Sequence, residues 1–168
     1  MKLLLSKFNT FLLRLNFLGL NPSSVLLSLG FSLCLSAPVQ AADFRSILPA
    51  KAIAYDAPSA ESTKAYIMTQ GYPVEVIVNL GAWVKVRDQR GGLSWLEGKN
   101  LDAKRTVIVT NNTEIKAAES AESALLASVE RDVVLEVLSP SINQGWVKVK
   151  HRDGIVGYIQ SSAIWGLF

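Results

Sequence analysis

The chain has 168 residues, of which 8% are aromatic, with a single cysteine and a single histidine. Its 17 basic and 14 acidic residues leave a formal charge of +3, too small for a nucleic-acid footprint, and the lone Cys34 excludes a disulfide framework within the chain. The length allows one ordinary domain or two very small ones.

Residues 1–41 differ in kind from the rest. Lys2, Lys7 and Arg14 are their only charges, and the apolar run VLLSLGFSLCLSA (Val25 to Ala37) leads into Val39-Gln40-Ala41. A basic start, a short apolar core and small residues at a cleavage point predict a signal peptide removed after Ala41, and hence a periplasmic or secreted mature protein. The core falls short of the about 20 apolar residues that span a bilayer. Because LLLSKFNTFLLRLNFLGL precedes it, retention as an N-terminal anchor is the competing outcome. Leu33 stands where a lipoprotein signal places a small residue, so Cys34 is expected to leave with the leader. Taking its three bases from the 17 leaves 14 bases against 14 acids. The mature chain is formally neutral, with no nucleic acid as partner and no membrane contact after cleavage.

The remaining sequence is written twice. SAES at Ser59 to Ser62 returns at Ser120 to Ser123, and Glu75-Val76 returns as Glu136-Val137, both 61 positions later. WVKV at Trp83 to Val86 returns at Trp146 to Val149, 63 positions later. One insertion, in SPSINQG against VNLGA, reconciles every match and is expected in a loop. A tandem duplication follows, with a first domain over 42–104 and a second over 105–168.

In chain order, each copy opens with a long stretch that resists assignment. Glu114 to Asp132 has helical composition, but its counterpart YDAPSAESTKAYIMTQGYP contains Pro58 and Gly71 and cannot be one helix. Both are therefore read as an irregular excursion with at most one helical turn, ending in a strand near Leu125 to Ser128. TVIVTNN (Thr106 to Asn112) joins the copies and is strand-like. PVEVIV and VVLEVL follow as β-branched strands, with Glu75 and Glu136 turned to solvent. WVKVR and WVKVK alternate strictly, so Val84, Val86, Val147 and Val149 face a core and Trp83, Lys85, Trp146 and Lys148 face away. Gly91-Gly92 and Asp153-Gly154 mark hairpin turns, and Leu96 and Ile159 lie on the returning strands. Apices near Gln89 and Arg152 would set Trp83 opposite Trp95 and Trp146 opposite Tyr158. Short strands with short turns predict an all-β fold of two small antiparallel barrels.

The order Pro-Val-Glu-Val, Trp-polar-Val, Gly-containing turn, aromatic-hydrophobic and closing Leu or Ile resembles the bacterial SH3-like (SH3b) domain. PVEVIVNLGAWVKVRDQRGGLSWLEGKNLDAKRTVIV is similar to the tandem variety in exported proteins of Gram-negative bacteria, and SAIWGLF is similar to their Trp-Gly tail. The resemblance implies two barrels of five to six strands and a cell-envelope setting, without an activity. Where the family commonly carries Arg-Ser-Gly-Pro-Gly, this chain has Tyr55-Asp56-Ala57-Pro58-Ser59, and the second copy replaces the proline with Glu119. GYIQSSAI also resembles the ending of eukaryotic SH3 domains, but Gln160 and Ala163, like Glu97 and Asn100 in the first copy, remove half of the trough that proline-rich ligands need.

Catalysis is not expected. His151, beside Arg152 and Asp153, reads as a solvated turn residue, and no nucleophile–base pair, metal-ligand spacing or cofactor motif occurs. The candidate ligand-binding residues are Trp83, Lys85, Trp95, Trp146, Lys148 and Tyr158. Two outcomes stay open for them: an exposed aromatic–lysine face that grips a cell-wall peptide or glycan, or aromatics covered by the excursion or by the other barrel. In the second case a structural role as partner of another envelope protein replaces ligand binding. Trp165, Leu167 and Phe168, past the last strand, are expected to pack where the barrels join.

Overall fold

The computed structural model describes residues 42–167. The leader, its cleavage point, Cys34 and Phe168 lie outside the described residues. Two seven-stranded antiparallel sheets account for the fold, and they have the same topology. The first contains β1 (Asp43–Ile47), β2 (Lys51–Tyr55), β3 (Lys64–Thr69), β4 (Pro73–Asn79), β5 (Trp83–Arg87), β6 (Leu93–Glu97) and β7 (Leu101–Asp102). The second contains β8 (Thr106–Val109), β9 (Thr113–Lys116), β10 (Leu125–Val129), β11 (Val134–Asn143), β12 (Trp146–Lys150), β13 (Val156–Gln160) and β14 (Ile164–Trp165). Their strand orders are β3-β2-β6-β5-β4-β1-β7 and β10-β9-β13-β12-β11-β8-β14. Each sheet exceeds the five to six strands expected, because a two-residue strand after a 3-10 turn closes it.

Alternation builds the two cores. Val86, Leu96, Val147, Val149 and Ile159 are fully buried, and Val84 nearly so. The first barrel adds Ile47, Ala52, Ala54, Met68 and Val74; the second adds Val107, Val109, Ile115, Val129 and Leu135. Leu167, beyond the last strand, completes the second core. The joining segment Thr106 to Val109 is β8, the counterpart of β1, and is buried at all four positions.

The strand expected near Leu125 to Ser128 is present as β10, but the excursion before it is not irregular: it is a β-hairpin in each copy. Lys51↔Thr69, Ala52↔Met68, Ile53↔Ile67 and Ala54↔Tyr66 pair in the first, and Ile115↔Ala127, Glu114↔Ser128 and Thr113↔Val129 in the second. No helical turn occurs in Glu114 to Asp132. The repeated SAES explains why. Ser62 N–H donates to Ser59 carbonyl and Ser123 N–H to Ser120 carbonyl, both at 3.2 Å. The Ser59 and Ser120 hydroxyls accept the Glu61 and Glu122 N–H at 3.2 and 3.3 Å, and Ser123 accepts the Ala118 N–H at 2.9 Å. These local bonds give the backbone an alternative to the helix that alanine and glutamate composition favours.

The two-residue insertion also differs from expectation. Rather than looping out, it lengthens β11 to Asn143, which pairs with Trp146 across Gln144-Gly145. Both turn residues have positive φ, 47° and 86°, as a tight type I′ turn requires.

The barrels meet through the tail and the β1 and β8 region. The Trp165 ring stands edge-on to Phe44 with centroids 5.0 Å apart at 88°. Thr106 donates to the Gly71 carbonyl at 2.7 Å across the junction; within the second barrel, Arg105 holds the tail by donating to the Leu167 carbonyl at 3.1 Å. A Cβ on Gly166 would lie 2.9 Å from Pro73 Cβ, and its φ of 107° is one that only glycine adopts readily. Trp165 and Gly166 therefore pack where the barrels join, as expected of the tail, whereas Leu167 fills the second core.

Candidate functional site

The candidate residues come from two equivalent hairpins, β5–β6 and β12–β13. Residues 88–92 form the first turn: Asp88 N–H bonds Gly92 carbonyl at 3.0 Å and Gly91 N–H bonds Asp88 carbonyl at 2.9 Å. His151 and Gly154 repeat this, with His151 N–H to Ile155 carbonyl at 2.8 Å and Gly154 N–H to His151 carbonyl at 2.9 Å. Gly91 and Gly154 have φ of 84° and 89°, which lets the chain turn back there. The apices fall at Arg90 and Asp153. Trp83 therefore faces Glu97 and Trp146 faces Gln160, so neither expected aromatic pair forms.

The register brings lysine to aromatic instead. Lys85 pairs directly with Trp95, and Lys148 with Tyr158. The ammonium groups stand 5.9 Å from the Trp95 ring centroid and 5.8 Å from that of Tyr158, a cation–π geometry in both copies.

Around these pairs the copies diverge. In the first barrel Tyr55 stands edge-on to Trp83, centroids 5.3 Å apart at 88°, and pairs across β2–β6 with Trp95. Trp83, Tyr55, Trp95 and Lys85 thus form one aromatic row, with both tryptophans partly exposed. In the second, Lys116 replaces Tyr55 beside Tyr158, held by Glu114 at 2.7 Å. Trp146 is 8% exposed and lies in a cleft of about 370 Å³ with Ala121 of the β9–β10 turn, Lys116 and Gln160. The Asn143 amide hydrogen-bonds Glu119 of that turn. Trp146 is therefore mostly a packing residue, whereas Lys148 and Tyr158 remain accessible.

Tyr55 escaped the sequence reading. Its offset of 40 from Trp95 carries no local pattern, and only the β2–β6 pairing brings them together. One solvent-facing assignment also changes: Glu75 is paired with Arg87 at 2.5 Å and its side chain is only 14% exposed. Glu136, its side chain 35% exposed, stays at the surface and pairs with Lys104 at 3.0 Å. The His151 side chain is 17% exposed rather than solvated; its Nδ1 accepts the Asp153 N–H at 3.3 Å and lies 3.3 Å from the Asp153 carboxylate.

The bacterial SH3 domain family matches residues 49–103 and again 116–166. This chain belongs to the bacterial SH3 domain family. In this bacterial SH3 protein the two matches take in β2 to β7 and β10 to β14, while β1, β8 and most of β9 lie outside them. No curated protein matches it. Solved structures similar to it include the NlpC2 protein of Trichomonas vaginalis, 17% identical, covering 75% of this chain and 48% of that one, with a TM-score of 0.35. The NlpC1 protein of the same organism is 16% identical over 80% and 49%, with a TM-score of 0.36. An NlpC/P60 family protein of Bacillus cereus is 16% identical over 73% and 55%, with a TM-score of 0.33. The chain spans about half the length of these proteins.

Proposed function

We propose that this chain is an exported, non-catalytic binding module of the cell envelope, whose two bacterial SH3 domains recognise peptidoglycan or a peptide ligand. One observation carries the reading: both copies place a lysine over an aromatic ring at the same register, although the ring changes from Trp95 to Tyr158. A cation–π pair at an exposed site contributes only about 0.5–1 kcal/mol to a fold. Folding gains little from the pair, while a ligand gains a flat apolar face beside donors for its carbonyl or carboxylate groups. Trp83 extends that face in the first copy, backed by the buried Tyr55, whereas in the other Lys116 is taken up by Glu114.

Binding rather than catalysis fits the rest of the surface. His151 is engaged within its own turn, where its Nδ1 accepts the Asp153 N–H. The leader, with its basic start and small residues before Ala42, supports export.

A structural partnership with another envelope protein is the second reading. It is favoured by Ile77 and Leu138, which occupy equivalent places on β4 and β11 and are 42% and 43% exposed. Co-sedimentation with purified peptidoglycan separates the two: a ligand-binding module pellets with the polymer, and a scaffold for protein alone stays in solution.

A further inference from the structure

Between the β2–β3 hairpin of the first barrel and the β10–β11 turn of the second lies a cleft of about 390 Å³. Residues of both barrels line it, so neither barrel forms it alone. Met68 and Ile108, 4% and 3% exposed, give it an apolar base. Tyr66 and Tyr72 form its wall. The Tyr66 hydroxyl bonds the Asp88 carboxylate at 3.2 Å and the Ser94 hydroxyl at 3.1 Å, and the Tyr72 hydroxyl accepts the Gln89 N–H at 3.4 Å. Burial pushes both phenols above their ordinary range, so they stay neutral. Asp88 is fully engaged, because its other oxygen accepts the Arg90 and Gly92 N–H at 2.9 and 2.8 Å.

Two opposite charges remain in the cleft, Arg90 from the first barrel and Asp132 from the second. They do not pair with each other. Among the described residues Arg90 has no ion pair, and Asp132 has only its exposed neighbour Arg131, at 3.9 Å. Asp132 stands where the first copy has Gly71, 61 positions earlier, and both adopt left-handed φ, 68° and 77°. Glycine suits that conformation and aspartate tolerates it. The exchange places a carboxylate at the cleft without altering the turn.

We propose that this cleft binds the zwitterionic ends of a short unblocked peptide, with the ammonium at Asp132, the carboxylate at Arg90 and the intervening chain against Tyr66 and Tyr72. A ligand carrying one charge satisfies one wall and leaves the other unpaired; a zwitterion satisfies both. The cleft volume lies within the about 300–1,000 Å³ usual for small-ligand sites. Nothing here depends on the lysine–aromatic pairs, so this inference goes beyond the binding module proposed above.

The test is titration of the purified protein with tri-alanine, N-acetyl-tri-alanine and tri-alanine amide, followed by backbone amide NMR shifts. Saturable shifts are expected at residues 66–72, 88–92 and 130–134, with each blocked peptide at least roughly tenfold weaker, or about 1.4 kcal/mol. Asp132→Gly reproduces the residue of the first copy, so it keeps the fold. It should bind the free and acetylated peptides alike, while Arg90→Gln should bind the free and amidated peptides alike. Equal binding of all three peptides by the unmodified protein, shifts mapping elsewhere, or no saturation by about 10 mM would overturn the proposal.

Discussion

Replacing Trp165 by alanine removes the aromatic bridge between the barrels. Trp165 closes the second sheet against Ile108 and presents its ring edge-on to Phe44, which is 5% exposed. A covered aromatic buries about 150–250 Å²; for a partly buried tryptophan roughly 120 Å² at about 25 cal/mol/Å² gives about 3 kcal/mol. The edge-on pair adds on the order of 1 kcal/mol. For a unit of this size that loss corresponds to a fall in melting temperature of about 10–15 °C. Thermal unfolding followed by far-UV circular dichroism reads it directly, without relying on tryptophan emission. A double-mutant cycle with Phe44→Leu should return a coupling of about 1 kcal/mol. An unchanged melting temperature, or additive single substitutions, would refute the argument that the tail joins the barrels.

Trp146→Ala should cost about 3–5 kcal/mol in a denaturant melt, as expected for a buried aromatic, and a stable variant that binds less would return Trp146 to the site. The Tyr66 and Tyr72 phenols are raised by burial first, with Asp88 adding to the effect. Their contribution to stability is complete below the unfolded value near 10 and is lost as pH rises through the higher folded values. Melting temperature should fall on that alkaline limb, and Tyr66→Phe should flatten the fall; an identical limb in the variant would contradict this. N-terminal sequencing of protein from the envelope fraction should begin at Ala42, and a chain that retains Phe31 to Ala37 would be an anchored one.

The barrel interior was legible because strict alternation around each WVKV leaves only one face for Val84, Val86, Val147 and Val149. The doubled sequence made the second fold a copy of the first before any strand was paired. Register was not legible from the tryptophans. It is set by Asp88 and Gly91 and by His151 and Gly154, whose spacing closes a longer turn than the glycines alone suggest. That shift of two residues turned two expected aromatic pairs into two lysine–aromatic pairs. The fate of Trp146 depended on where the β9–β10 turn lies, a tertiary matter invisible to local pattern. Over Glu114 to Asp132 the comparison with Pro58 and Gly71 rightly set helical composition aside, but the hairpin itself was not legible; serine hydroxyls hold its turn against the intrinsic preference of Ala and Glu. The inter-barrel cleft had only one written sign, an aspartate at the position where the first copy keeps Gly71.

If the matched lysine–aromatic pairs form the ligand face, co-sedimentation with purified peptidoglycan reads it out. The full chain should pellet saturably. The Lys85→Ala, Lys148→Ala double variant, with both lysines off the core, should keep its melting temperature and lose at least about tenfold in affinity. A wild-type protein that stays in the supernatant, or a folded double variant that pellets as well as wild type, would contradict the account.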